Sequence, residues 1–149
     1  MLIHKTGNIF TSEQTAIGHG VNCKGVMGSG IAVTVKNLFP EVYEVYKQYC
    51  ERVGLHGGDL LALPTRDGRV ILNLASQEKT GGNAKYDFLE DSVMEAFSYC
   101  QRNKIGGFAL PQIGSHIGGL EWDKSLKILE ICSEKFPDID LEVWTYDGS

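Results

Sequence analysis

One stretch, His19-Gly-Val-Asn-Cys-Lys-Gly-Val-Met-Gly-Ser-Gly-Ile-Ala32, restricts the possible folds more than any other. Residues 15–21, which lead into it, are small and β-branched without a helical stripe, as in a buried strand. Residues 31–39, which follow it, carry apolar side chains at helical spacing. The stretch is therefore a polar turn between a strand and a helix. Gly25, Gly28 and Gly30 let the backbone take positive φ and bring bare N–H groups toward a ligand. They do so where a helix start offers unpaired donors and partial positive charge. A phosphate is the natural guest; glycines that only turn the chain are the plainer reading.

Around this turn the chain alternates strands and helices. Strands are expected at residues 2–5, 15–21, 59–63, 69–75, 105–110 and 141–146, and helices at residues 31–37, 40–53, 86–103 and 120–136. Asp67-Gly68 marks a hairpin between the third and fourth strands. Asn83 is a candidate cap for the third helix. The last strand alternates like an edge or half-buried one. A second glycine-rich loop, Gln112-Ile-Gly-Ser-His-Ile-Gly-Gly119, again joins a strand to a helix. The order implies an α/β fold: a three-layer α/β/α sandwich with a mixed, largely parallel central sheet. In such sheets ligands sit at the carboxyl ends of the strands, so two loops facing one crevice could hold two phosphates.

A chain of 149 residues fits one domain, residues 1–149, that buries a core without disulfides or a structural metal. The net charge of −5 and the lack of a basic run remove the usual source of nonspecific nucleic-acid binding. Cys23, Cys50, Cys100 and Cys132 form no metal-ligand spacing and read as reduced thiols, mostly of the core. No metal or cofactor is called for. With no signal-type or membrane-spanning run, the expected location is the cytoplasm, with no membrane partner.

The first loop matches neither G-x-G-x-x-G nor the P-loop pattern, which weakens dinucleotide dehydrogenase and P-loop readings. Asn22, at a strand end, can either contact a sugar hydroxyl or close an Asx-turn. His19 lies within an apolar strand and reads as a core residue; Cys23 as a nucleophile has no assigned base. His116 sits in the second glycine loop within reach of a ligand, or else is simply solvated. Trp144 and Tyr146 share a strand face and either stack a base or belong to the core. Lys79 and Lys85 read as surface residues.

Together Gly7-Asn8-Ile9, Val21-Asn22 with Gly25-Val-Met-Gly-Ser-Gly-Ile-Ala32, Asn73-Leu-Ala-Ser-Gln77 and Leu110-Pro-Gln-Ile-Gly-Ser-His-Ile-Gly-Gly-Leu-Glu-Trp122 resemble a macrodomain over nearly the whole chain. The likeness is greatest to fungal ADP-ribose-1''-phosphate phosphatases and to terminal ADP-ribose protein glycohydrolases and antitoxin macrodomains. The resemblance implies a cleft for ADP-ribose. Asn8 and Ile9 would lie by the adenine, with Asn8 where many macrodomains have an aspartate that accepts from the adenine amino group. Asn22 would meet the distal ribose, and Gly28, Ser29, Gly30 and Ile31 would wrap that ribose and its phosphate. Ile113, Gly114, Ser115, His116, Ile117 and Gly118 would cradle the diphosphate, and Tyr146 is a candidate for stacking. Counted back from Tyr86, Gln77 stands where the terminal glycohydrolases have a nucleophilic lysine, and Gly118 where they have an aspartate. Lys79 would fill that role only if the loop slipped by two residues.

The expected function is hydrolysis of an ADP-ribose derivative, either ADP-ribose-1''-phosphate or an ADP-ribosyl bond. An activated water would attack, with loop N–H groups stabilising charge, and His116 and Asn22 are the catalytic candidates. The implied partners are ADP-ribose, ADP-ribose-1''-phosphate and, more widely, ADP-ribosylated macromolecules. A module that binds ADP-ribose without turnover is the second reading, and a different nucleotide-binding α/β protein the third.

Overall fold

Five of the six strands lie parallel. In the computed structural model, which describes residues 1–115 and 118–149, the sheet runs β1-β6-β5-β2-β4-β3. The strands are β1 (Leu2–Thr6), β2 (Ala16–Gly20), β3 (Leu60–Pro64), β4 (Val70–Leu74), β5 (Gly107–Pro111) and β6 (Asp140–Thr145). Only β3 pairs antiparallel, with β4, through the Asp67-Gly68 turn read in the sequence; Thr65 N donates to Arg69 O at 2.9 Å. The other neighbours are parallel.

The helices are α1 (Ile31–Leu38), α2 (Pro40–Arg52), α3 (Tyr86–Arg102) and α4 (Trp122–Glu134). Pro40 opens α2 at a first-turn position where its missing N–H costs nothing. In α3, Leu89, Val93, Ala96, Phe97 and Cys100 recur at three- and four-residue steps, and all are buried. They join Phe108 and Leu110 of β5 and Leu129 of α4 in one core. Phe97 meets Phe108 edge-on at 4.9 Å and stacks on Phe136 at 5.1 Å. A second core, on the opposite face of the sheet, joins Ile17, Ile71 and Ala109 to Val35 of α1 and to Val42 and Tyr46 of α2. Burying each such side chain contributes about 1.5–3 kcal/mol, so the two apolar faces of the sheet fix the three layers.

Two expectations need correction. β6 is not an edge strand: it lies between β1 and β5, and Leu141, Glu142, Val143 and Trp144 are all buried. Asn83 does not cap α3. Its carboxamide ties its own loop, accepting from Lys79 N at 3.1 Å and donating to Thr80 O at 2.7 Å. Lys85 precedes α3 without a side-chain cap. No helix among the described residues is long and apolar enough to cross a membrane.

Candidate functional site

Because β1, β6, β5, β2 and β4 are parallel, their carboxyl ends meet at one edge of the sheet. The segments leaving those ends line one cavity of about 900 Å³, at the large end of the range for small-molecule sites. Residues 7–10 follow β1, residues between 20 and 34 follow β2, and Ser76, Gln77, Thr80 and Gly81 follow β4. Residues after β5 and the end of β6 complete the wall. Asn8, Ile9, Asn22, Gly28, Ser29, Gly30, Ile31, Ile113, Gly114, Ser115, Gly118 and Tyr146 all line it. His116 and Ile117, the remaining candidates, lie outside the described residues.

The first loop is organised by Asn22. Its Oδ1 accepts from Lys24 N at 2.9 Å, from Val26 N at 3.4 Å and from the Tyr46 hydroxyl at 3.0 Å, while its Nδ2 donates to Val26 O at 2.8 Å. The Asx-turn is therefore present, and one Nδ2 hydrogen is left for a ligand. Tyr46, fully buried on α2, also donates to Asn22 O at 2.7 Å. Burial raises its phenol pKa, so it stays a donor. Gly30 starts α1 at φ 61 and ψ −145, a region open almost only to glycine. Gly28, expected to share that freedom, has no positive φ, and an added Cβ there would meet only Val26 at an ordinary 3.5 Å. Within the protein nothing requires glycine at 28; its bareness matters only toward a ligand.

Opposite this loop stands Gln77. Its Nε2 donates to Lys79 O at 2.7 Å and to Gly81 O at 2.8 Å, which uses both amide hydrogens. Its Oε1 lies 3.5 Å from where a Cβ on Gly118 would stand, and that Cβ would press on Ala84 at 3.0 Å. The ungapped count from Tyr86 thus brings Gln77 opposite Gly118. Lys79 is not among the lining residues.

At the far end Ile9, Phe10, Trp144 and Tyr146 make an apolar and aromatic wall. The Trp144 indole donates to Glu142 Oε1 at 2.9 Å, and Glu142 also accepts from Ser12 at 2.7 Å and Gln14 at 3.3 Å. Desolvation pushes the Glu142 pKa up, but these donors outweigh it and hold it below the usual carboxylate value. Asn8, whose oxygen was expected to face a base, uses that oxygen to accept from Phe10 N at 2.9 Å. Tyr146 lies just beyond β6 and is 71% exposed, while its strand-face partner Trp144 is 9% exposed.

Tyr146 is the sole ionisable side chain among the described lining residues. His19, behind the wall, is neutral: Asn73 Nδ2 donates to Leu61 O at 3.0 Å, so Asn73 Oδ1 accepts from His19 Nε2 at 2.7 Å. Burial drives its pKa down to about 4 against the opposing effect of that bond. Burial likewise raises the Cys23 thiol to about 12 and its proton points at Gln77 O, which leaves no thiolate nucleophile. An anion against the described part of the wall would thus meet backbone N–H groups and neutral side chains. Sequence reading missed Phe10, Thr34, Thr80 and Gln112 in the wall and Tyr46 behind it. Tyr46 sits on an apolar helix stripe, so no local signal marks its contact with Asn22, 24 residues away.

The profile of the Macro domain family matches residues 19–129. The DNA ADP-ribosyl glycohydrolase of Mycobacterium tuberculosis is 26% identical over 151 residues, covering 99% of this chain and 43% of that protein. The ADP-ribose 1''-phosphate phosphatase of Chaetomium globosum is 34% identical over 86 residues, covering 55% of this chain and 42% of that protein. This chain thus spans less than half the length of either relative. The solved macrodomain of Mycobacterium tuberculosis DarG superposes with a TM-score of 0.91 at 26% identity, covering 97% of each chain.

Proposed function

The chain belongs to the Macro domain family, and from that premise we propose that its cleft binds ADP-ribose and that it hydrolyses an ADP-ribose derivative at the distal ribose. The observation that carries this reading is the division of the cavity. Two glycine loops and neutral donors line one part, and Ile9, Phe10, Trp144 and Tyr146 the other. A diphosphate suits the first and a flat base the second. In this proposal residues 28–31 and Asn22 hold the distal ribose and its phosphate, and residues 113–118 the diphosphate. The names of the relatives support two leaving groups, a 1''-phosphate and DNA, and the proposed setting is the cytoplasm.

Water is the proposed nucleophile, because Gln77 has no amine that could link to the sugar. With both Nε2 hydrogens engaged, Gln77 Oε1 is a fixed acceptor for that water or for a ribose hydroxyl. Loop N–H groups would stabilise the negative charge that develops on the departing group. His116 is proposed as the proton carrier, since an imidazole ordinarily titrates near neutral pH. His116→Ala is then expected to lower kcat roughly 10²-fold with ADP-ribose affinity little changed.

Non-catalytic binding is the second reading, favoured by the scarcity of ionisable groups in the described wall. Chromatography of ADP-ribose-1''-phosphate and of an ADP-ribosylated DNA oligonucleotide after incubation with the protein separates the two. Release of phosphate or of free ADP-ribose is the expected result; tight binding with every substrate recovered intact would favour the module.

A further inference from the structure

A carboxamide carries one acceptor and one donor, and protein contacts decide which of them a ligand meets. At Asn8 the choice is made by Phe10. A backbone N–H can only donate, and Phe10 N reaches the Asn8 side chain at 2.9 Å, so Oδ1 must face the backbone. Asn8 O is used as well, by Thr11 N at 2.9 Å and Thr11 Oγ1 at 2.6 Å. Asn8 nevertheless lines the cavity beside Ile9, Phe10, Trp144 and Tyr146, and no described residue accepts from its Nδ2. The free half of the amide at the base end of the cleft is a donor.

Resting on the reading that the cleft holds a nucleoside-diphosphate ribose, we propose that Asn8 sets base choice by presenting a hydrogen-bond donor, so that a 6-oxopurine is accepted as readily as adenine. Adenine carries an amino donor at position 6, which gains nothing from a second donor; a 6-oxopurine carries an acceptor there. Ile9, Phe10 and the two aromatic residues of the wall give van der Waals contact to either ring and do not discriminate. Aspartate at this position caps as well as asparagine but replaces the free donor with a charged acceptor. It would favour adenine and repel the 6-oxo group.

The test is calorimetric titration of ADP-ribose and of inosine-diphosphate-ribose into the wild type, Asn8→Asp and Asn8→Ser. The added charge of Asn8→Asp acts equally on both diphosphates, so the affinity ratio isolates the base. Wild type is expected to favour ADP-ribose by no more than about threefold, and Asn8→Asp to shift the ratio toward ADP-ribose by about fivefold or more, the scale of one hydrogen bond. Asn8→Ser keeps a capping oxygen but shortens the side chain, drawing its remaining donor, the hydroxyl hydrogen, back from the base, and should lose affinity for the inosine ligand alone. A wild-type preference for ADP-ribose above threefold, a shift below fivefold, or an unaltered inosine affinity in Asn8→Ser overturns the proposal while leaving ADP-ribose binding intact. Failure of the wild type to bind either nucleotide would remove the underlying function as well.

Discussion

Asn22 commits its carboxamide oxygen to the loop that carries it and keeps one N–H for the cavity. The turn read at its sequence position is formed, and the spare N–H supports the proposed ligand contact. Truncation to alanine removes the loop's internal acceptor and the free donor together. ADP-ribose affinity of Asn22→Ala is expected to fall roughly tenfold or more, since an unpaired buried partner costs about 1–3 kcal/mol and about 1.4 kcal/mol is tenfold. Calorimetry checks this, and undiminished affinity would take Asn22 out of the site. The Asx-turn was legible locally because its bond to Lys24 N spans two residues. The orientation of the Asn8 amide was not: asparagine alone says nothing about which half its backbone will claim.

Among the elements, α2 holds the first loop through one phenol, which bonds both the carbonyl and the side chain of Asn22. Tyr46→Phe keeps the ring in its core and removes only that grip. Its unfolding free energy is expected to drop by about 1–2 kcal/mol, with ADP-ribose binding weakened several-fold although the tyrosine lies behind the wall. Parallel urea titrations and calorimetry would show it; wild-type affinity would mean that the loop holds its shape unaided. Helices and glycine loops were readable because periodicity and turn residues are local signals. The place of β6 was not, because parallel partners are chosen by distant segments, and a glutamate at 142 gives the strand the alternation of an edge or half-buried one. Glu142 is instead buried and satisfied by Ser12, Gln14 and Trp144. Asn83 similarly satisfied the local pattern of a cap but found closer partners in its own loop.

For the molecule as a whole, His19 ties stability to pH. Its folded pKa, about 4, lies below the ordinary imidazole value of 6.5, so between these values the unfolded chain binds a proton that the folded chain refuses. Its contribution is complete above pH 6.5 and is lost as pH falls toward 4, by about 3 kcal/mol at most. Urea unfolding at pH 7.5 and 4.5 should show that loss, and His19→Gln, which keeps a donor for Asn73, should flatten it; an equal slope in the variant would assign it to other groups. The sheet brings five strand ends to one cavity, where the proposed function puts ADP-ribose. Gly28→Glu probes that placement. Position 28 has neither a positive φ nor a packing need for glycine, whereas Gly30 does require one, so a glutamate at 28 should leave the fold intact while putting bulk and negative charge in the phosphate approach. Calorimetric titration is expected to show saturable ADP-ribose binding to the wild type and none to a Gly28→Glu protein of unchanged melting temperature; equal binding by the two would contradict the assignment of the site.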